Sequence, residues 1–335
     1  MLIMTSMMLD ACATPTVEDV LEQVTEEPAA GPAEGEAAEE AEAPEEVTEE
    51  ATEEPTPEPT PEPMPTPTEE VVAVEELLDA AYADFLAGME AYNTITPEDV
   101  NAALAEGTEL FLLDVRQPEE LEENGYIEGA INIPLRELGK NIDKLPAFDT
   151  PMVTYCGSGW RCTMAMTALG ALGYTNVKTM VGSSFGGWME AGYPVVQGML
   201  PEPEALNAVE PDPALLAAID EALSNIPEGW GVITAEDLNA ALAEGAELVL
   251  LDVRRPDEVE AEGYIEGAVQ VPLEQMIELR DEWPAIEADI VVYCAAGARG
   301  NIAATILRTY GYQSVRNLKG GFGAWVEAGY PVVSE

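Results

Sequence analysis

From about residue 94 onward, short uninterrupted apolar runs alternate with stretches whose apolar residues recur every three or four positions. ELFLLDV, AINIP, MVTYC and NVKTMV are apolar throughout and do not alternate, which predicts strands buried on both faces of a sheet. RCTMAMTALGALG, which follows the third run, predicts a helix on a small-residue face, ended by Gly173. Thr96 before PED reads as a helix N-cap with proline in the first turn. Strand and helix in alternation predict an α/β fold, a parallel sheet flanked by helices on both faces, with ligands outside the carboxyl ends of the strands.

The pattern occurs twice. TPEDVNAALAEGTELFLLDVRQPEELEENGYIEGAINIP begins at Thr96, and TAEDLNAALAEGAELVLLDVRRPDEVEAEGYIEGAVQVP begins at Thr234, an offset of 138 residues. The same offset relates Asp114 to Asp252, Tyr126 to Tyr264 and Cys156 to Cys294. Each unit has about 100 residues, the size of a domain and not of a solenoid repeat. The predicted domains are 94–200 and 229–335. An amphipathic helix is expected before each. Val74, Leu78, Phe85, Met89 and Tyr92 mark the first, over 71–93; Leu215, Ile219, Leu223 and Ile226 mark the second, in the linker 201–228. Both are expected to pack on the domain that follows.

Composition changes the picture at the N-terminus. The chain carries 65 acidic and 13 basic residues, a net charge of −52, and no Lys or Arg precedes Arg116. Such a surface is repelled by phosphate backbones and anionic membranes, so no nucleic-acid partner is expected. Residues 13–70 are rich in Glu, Pro, Ala and Thr; they bury too little apolar surface to order, and are expected to be a disordered linker reaching from about 40 Å to about 180 Å. A spacer and a solubilising acidic tail both suit that composition. Residues 1–12, MLIMTSMMLDAC, have the apolar character of a secretory leader ending before a cysteine. LDAC resembles the lipobox of bacterial lipoproteins, which implies lipidation of Cys12 and an extracytoplasmic place in the bacterial cell envelope, the membrane being met only through the lipid anchor. Asp10 and the lack of a basic leader segment depart from that pattern.

The chain has no histidine and four cysteines, Cys12, Cys156, Cys162 and Cys294, without a CxxC pair. Cys–His and Ser–His–Asp hydrolases and His-ligated metals are thereby excluded, and neither a zinc site nor a disulfide framework is indicated. What remains is a loop, C-x-x-G-x-R, at a predicted strand-to-helix turn: CGSGWR in the first copy and CAAGAR in the second. Small residues permit a tight turn whose N–H groups point inward as a nest for negative charge, and the following helix adds its positive end. Both effects favour thiolate, so Cys156 and Cys294 are the candidate nucleophiles without a general base. Arg161 and Arg299 present a fixed charge and a planar fork for an oxyanion or a structural carboxylate. Asp114 with Arg116, and Asp252 with Arg254, end the first main strand of each unit and are expected either to brace the loop or to cap a turn. Trp160 and Trp188 are candidates for the pocket rim, with a core role favoured for Trp188 and Trp325. Cys162 stands where it would either fill space or resolve an oxidised or persulfide form of Cys156.

The order LLDVR, GYIEGAINIP, YCGSGWR, GGWMEAGYPV, given twice, resembles the rhodanese family over nearly all of residues 94–335. That resemblance implies a sulfurtransferase: the loop cysteine takes sulfane sulfur from a small anion such as thiosulfate or polysulfide, holds it as a persulfide, and yields it to a thiol or cyanide-like acceptor. It implies Gly157, Ser158, Gly159, Trp160 and Arg161, and Ala295, Ala296, Gly297, Ala298 and Arg299, as cradles that bind substrate, and no cofactor or metal. The sequence departs from the family at Tyr126 and Tyr264, where histidine is usual, positions expected to be structural. It also departs at Cys162 and Gly300, where serine is common, and neither loop has a basic side chain besides its arginine, which leaves thiosulfate unassigned as the natural donor. Two other functions fit a cysteine loop closed by arginine. Cys-dependent phosphatases need C-x5-R, one residue longer than both loops here; a sensing or scaffolding module would have no need of both Cys–Arg pairs.

Overall fold

A computed structural model describes residues 69–334. The segments 1–12, with Cys12, and 13–68 lie outside the described residues.

The two units form two five-stranded sheets, all parallel. In the first, β1 (Thr94–Ile95), β2 (Phe111–Asp114), β3 (Ile131–Asn132), β4 (Met152–Tyr155) and β5 (Val177–Met180) lie in the order β1-β5-β4-β2-β3. In the second, β6 (Val232–Ile233), β7 (Val249–Asp252), β8 (Val269–Gln270), β9 (Ile290–Tyr293) and β10 (Val315–Leu318) repeat that order as β6-β10-β9-β7-β8. The register repeats too: Asp114 faces Tyr155 and Asp252 faces Tyr293. The expected α/β architecture is therefore present twice. Among the described strands, β1 and β6 have no counterpart among the apolar runs; each runs directly into the helix N-cap Thr96 or Thr234, so no apolar run develops.

Helices cover both faces. In the first unit these are α2 (Pro97–Ala105), α3 (Pro118–Asn124), α4 (Trp160–Ala171) and α5 (Ser184–Glu190). Their partners in the second are α7 (Ala235–Ala243), α8 (Pro256–Glu262), α9 (Ala298–Thr309) and α10 (Gly321–Glu327). Thr96 caps α2 by accepting from the Asp99 N–H, and Thr234 does the same for α7. The helix expected after Cys156 is α4, and its all-round apolar composition has a tertiary cause. It is sandwiched between its own sheet and α9 of the other unit, so nearly every face is buried.

The helices that precede the units differ from expectation. The first, α1 (Glu69–Ala87), stops short of Met89 and Tyr92, because Gly88 and three successive left-handed residues, Ala91, Tyr92 and Asn93, turn the chain. The second, α6 (Pro213–Ser224), stops before Ile226. Neither packs only on the unit it precedes. Phe85 of α1 lies against Gly170 of α4, but Arg280 of the second unit pairs with Glu75 and Asp79, and Tyr310 donates to Asp79 at 2.7 Å. From the end of α6, Ser224 donates to the Arg136 carbonyl of the first unit at 3.2 Å, and Arg136 donates back to the Ile226 carbonyl at 2.8 Å. Both helices thus bridge the two units, which share one large apolar core.

Candidate active site

Each cysteine directly follows the central strand of its sheet, at the carboxyl end, where β4 or β9 gives way to the loop opening α4 or α9. Gly159 and Gly297 hold the corresponding turn of each loop at φ 102° and 104°, a conformation that glycine adopts without strain. The loop carbonyls face away from the sulfur. Those of Cys156 and Gly157 accept from the N–H groups of Phe185 and Gly186 at 2.9 and 3.0 Å, and those of Cys294 and Ala295 accept from Phe322 and Gly323. With the carbonyls so held, loop amides turn inward: Gly159 N–H donates to Cys156 Sγ at 3.2 Å and Gly297 N–H to Cys294 Sγ at 3.1 Å. Both sulfurs are enclosed, with Cys156 0% and Cys294 1% exposed.

At Cys156, burial disfavours the thiolate, yet the opposing effects prevail. A hydrogen bond shared with the Cys162 thiol, the Arg161 charge and backbone amides bring its pKa down to about 6. Cys162 moves the other way, its thiol pushed far up by burial and by the neighbouring Cys156 charge. Their sulfurs are 3.5 Å apart.

The two loop arginines do not point into an empty anion site. Arg161 forms a two-pronged pair with Glu120, with Nη2 at 2.7 Å, and Arg299 does so with Glu258 at 2.6 Å on both prongs. Of the two options left open for the fork, the structural carboxylate is the one present. Arg299 draws the Glu258 carboxyl down to about 2. Glu120 is also held below the usual carboxylate range, where Arg161 overcomes the upward push of burial. These glutamates stand in the first turn of α3 and α8, in QPEE and RPDE; nothing in their local spacing ties them to a loop 41 residues away.

The Asp–Arg pairs brace the loop at one remove. Asp114 accepts from Arg116 Nε and Nη2 at 3.0 and 2.6 Å, and the Arg116 guanidinium also donates to the Gly125 carbonyl. It stacks 3.9 Å from the Phe185 ring, whose backbone N–H holds the Cys156 carbonyl. Asp252, Arg254 and Phe322 reproduce this chain of contacts. Tyr126 and Tyr264 form antiparallel bridges to Val196 and Val333, tying down the end of each unit. Trp188 and Trp325 are buried, each donating its indole N–H to a proline carbonyl at 2.8 Å.

The loops also meet one another. Asn301 of α9 donates to the Trp160 carbonyl at 2.7 Å, and the Trp160 ring lies over Gly297. A cleft of about 390 Å³ between them is lined by Ser158, Gly159 and Trp160 from one loop and Ala296, Gly297 and Ala298 from the other. Cys156, Cys294, Gly157, Ala295 and both arginines are outside its lining.

Comparison with known proteins settles the family. Residues 96–191 and 234–328, together more than half of the chain, each match the rhodanese-like domain. This chain belongs to the rhodanese family. Its architecture is a tandem of two rhodanese-like domains. A protein named sulfurtransferase from Allochromatium vinosum is 38% identical over 102 residues, covering 30% of this chain and 94% of that one. The thiosulfate sulfurtransferase PspE of Escherichia coli is 33% identical over 87 residues, covering 26% of this chain and 78% of that one. Among solved structures, a rhodanese-related protein from Thermoplasma volcanium is 32% identical, covers 31% of this chain and 98% of its own, and has a TM-score of 0.28.

Proposed function

We propose that this tandem rhodanese is a sulfurtransferase whose Cys156 and Cys294 each accept sulfane sulfur from a small anionic donor, thiosulfate or polysulfide, and pass it to a thiol or cyanide-like acceptor. The observation that carries this reading is the pair of inward loop amides, Gly159 N–H and Gly297 N–H, each aimed at its own sulfur from the N-cap of a helix. In the first step the thiolate attacks the outer sulfur of the donor and the donor's remaining fragment leaves with the bonding electrons. The resulting persulfide anion is received by the same amides that held the thiolate, so no imidazole is required. Gly157 to Trp160 and Ala295 to Ala298 form the cradles, and Arg161 and Arg299, each ion-paired with a glutamate, hold each loop shut. Sulfur transfer is also supported by the two named sulfurtransferase relatives, and thiosulfate as a donor by the name of the Escherichia coli protein. Anchoring through a lipid on Cys12, with the domains outside the cytoplasm, belongs to the same proposal; incorporation of a labelled fatty acid, abolished by Cys12→Ala, tests it.

Intact mass after incubation with thiosulfate or polysulfide tests the chemistry. Sulfur gain that is lost when Cys156→Ala and Cys294→Ala are combined supports transfer. An unchanged mass would mark a binding or sensing module, and phosphatase activity in the same preparation would move the reaction to phosphoryl chemistry.

A further inference from the structure

The two loops differ at one chemically decisive position. Six residues after the nucleophile the first domain has Cys162 and the second has Gly300. Cys162 points back at its own loop: its Sγ lies 3.5 Å from Cys156 Sγ and donates to the Gly159 carbonyl at 3.3 Å, with Met180 O and Ser184 Oγ at 3.6 and 3.7 Å. In the second domain a side chain at 300 has no room. A Cβ there would stand 2.4 Å from Asn317 Oδ1, and Asn317, where the first domain has Thr179, uses its amide to satisfy the Gly297 carbonyl at 2.9 Å. The same carbonyl is thus served by a thiol in one domain and by a carboxamide in the other. Only the thiol brings a second sulfur to the nucleophile. Both sulfurs are buried side by side, so Cys162 is at hand before any outside thiol arrives.

We propose that the first domain is a dithiol that reduces bound sulfane sulfur to hydrosulfide, with Cys162 resolving the Cys156 persulfide, while the second domain retains its sulfur for transfer. The proposal rests on persulfide formation as argued above. The Cys162 sulfur attacks Cys156 Sγ, the Sγ–Sγ bond forms, and the bond from Cys156 Sγ to the outer sulfur breaks. The outer sulfur leaves with that electron pair and takes the Cys162 proton, departing as HS⁻. The persulfide anion and one thiol become one disulfide and one hydrosulfide; the sulfane sulfur is the oxidant and the dithiol the reductant. The sulfurs must close from 3.5 Å to the disulfide bond length of about 2.05 Å. The loop between them contains Gly157 and Gly159. A small external dithiol then restores the first domain for another turnover.

The test uses the full chain, reduced, freed of reductant and kept without oxygen, then exposed to polysulfide, alkylated and mapped by peptide mass. In the wild type the Cys294 peptide is expected to gain one sulfur, while Cys156 and Cys162 appear joined and lighter by two hydrogens. In Cys162→Ser and Cys162→Ala, Cys156 is expected to gain and keep one sulfur. A wild-type Cys156 persulfide that persists beside free Cys162 overturns the proposal, as does a disulfide that forms equally fast without polysulfide. If instead neither Cys294 nor the Cys156 of the two variants gains sulfur, the sulfur-carrier reading itself has failed.

Discussion

Trp230, in the turn that leads into the second domain, lies 4.9 Å from the guanidinium of Arg161 in the first. Its repeat equivalent Tyr92, which leads into the first domain, lies 5.1 Å from Arg299 in the second. Each loop arginine is therefore stacked by an aromatic that the other domain's leading segment supplies. Both aromatics sit at positive φ, 62° and 57°, an uncommon conformation for a bulky residue that the surrounding contacts impose. Tyr92 further accepts from Arg255 and donates to Glu274, both of the second domain. The two loops are built as a pair, each completed by the other half of the chain.

Truncating these aromatics is therefore expected to act across the domain boundary. Trp230→Ala slows sulfur uptake at Cys156 several-fold and leaves Cys294 near the wild-type rate; Tyr92→Ala does the reverse. Each lowers stability by about 1–2 kcal/mol through lost stacking and apolar burial. Per-cysteine peptide mass over time, with urea unfolding beside it, separates the two effects. Equal slowing at both cysteines would refute the crossed arrangement.

Thiolate absorbance should report the Cys156–Cys162 pair. In Cys294→Ala the signal is expected to rise with a midpoint near pH 6 for Cys156. Adding Cys162→Ala removes a hydrogen bond that favours the thiolate, so the midpoint moves up. The linkage has a definite sign. A thiol depressed on folding contributes its full stability above the ordinary thiol range, about 8.5, and loses it as pH falls through about 6. An unmoved midpoint in the double variant would show that Cys162 does not support the charge.

The Glu258–Arg299 clamp predicts an acid-sensitive second domain. Glu258 has a folded pKa of about 2, drawn down chiefly by its hydrogen bonds from Arg299. Its stabilisation is complete above the ordinary carboxyl value of about 4.3 and is lost as pH falls toward 2. Glu258→Gln should weaken the protein at neutral pH and flatten the fall in thermal midpoint between about pH 5 and 3. A Gln variant with an unchanged acid profile would remove the clamp from the account.

Among the described residues, Arg308 is a buried charge without an acidic partner. Its Nε and Nη1 have no hydrogen-bond partner there, and of the described groups only the Val315 carbonyl accepts from its fork. Burial pulls its pKa down to about 10. Replacing it with Met removes the desolvation of a cation and keeps the volume, so Arg308→Met is expected to raise stability by about 1 kcal/mol in urea unfolding. A clear loss of stability would show that the single carbonyl contact outweighs the charge.

The dithiol should be transferable only as a pair of changes. Gly300→Cys alone drives a side chain into Asn317 and is expected to cost about 1–3 kcal/mol. Adding Asn317→Thr, the residue matching Thr179, should recover much of that loss, a non-additive coupling of about 1 kcal/mol or more in a double-mutant cycle. Additive losses would mean that position 317 does not decide what fits at 300.

Local sequence determined the elements and where the candidate cysteine loops lie. Uninterrupted apolar runs can rest only in a sheet covered on both sides, and the repeat offset carried one domain's assignment to the other. A thiol followed by small residues and glycine between a strand and a helix marked the candidate nucleophiles, because strand end, turn and helix start are consecutive in the chain. Tertiary structure alone decided what surrounds them. Glu120 and Glu258 reach their arginines over 41 residues, and Trp230 and Tyr92 reach theirs from opposite domains. The sequence showed α1 and α6 as amphipathic but not which surfaces they join, since an apolar stripe specifies burial and not its partner. That Cys162 faces Cys156 while Gly300 is shut out by Asn317 depends on which way side chains turn at a strand–helix junction, a matter of three-dimensional packing that spacing does not encode.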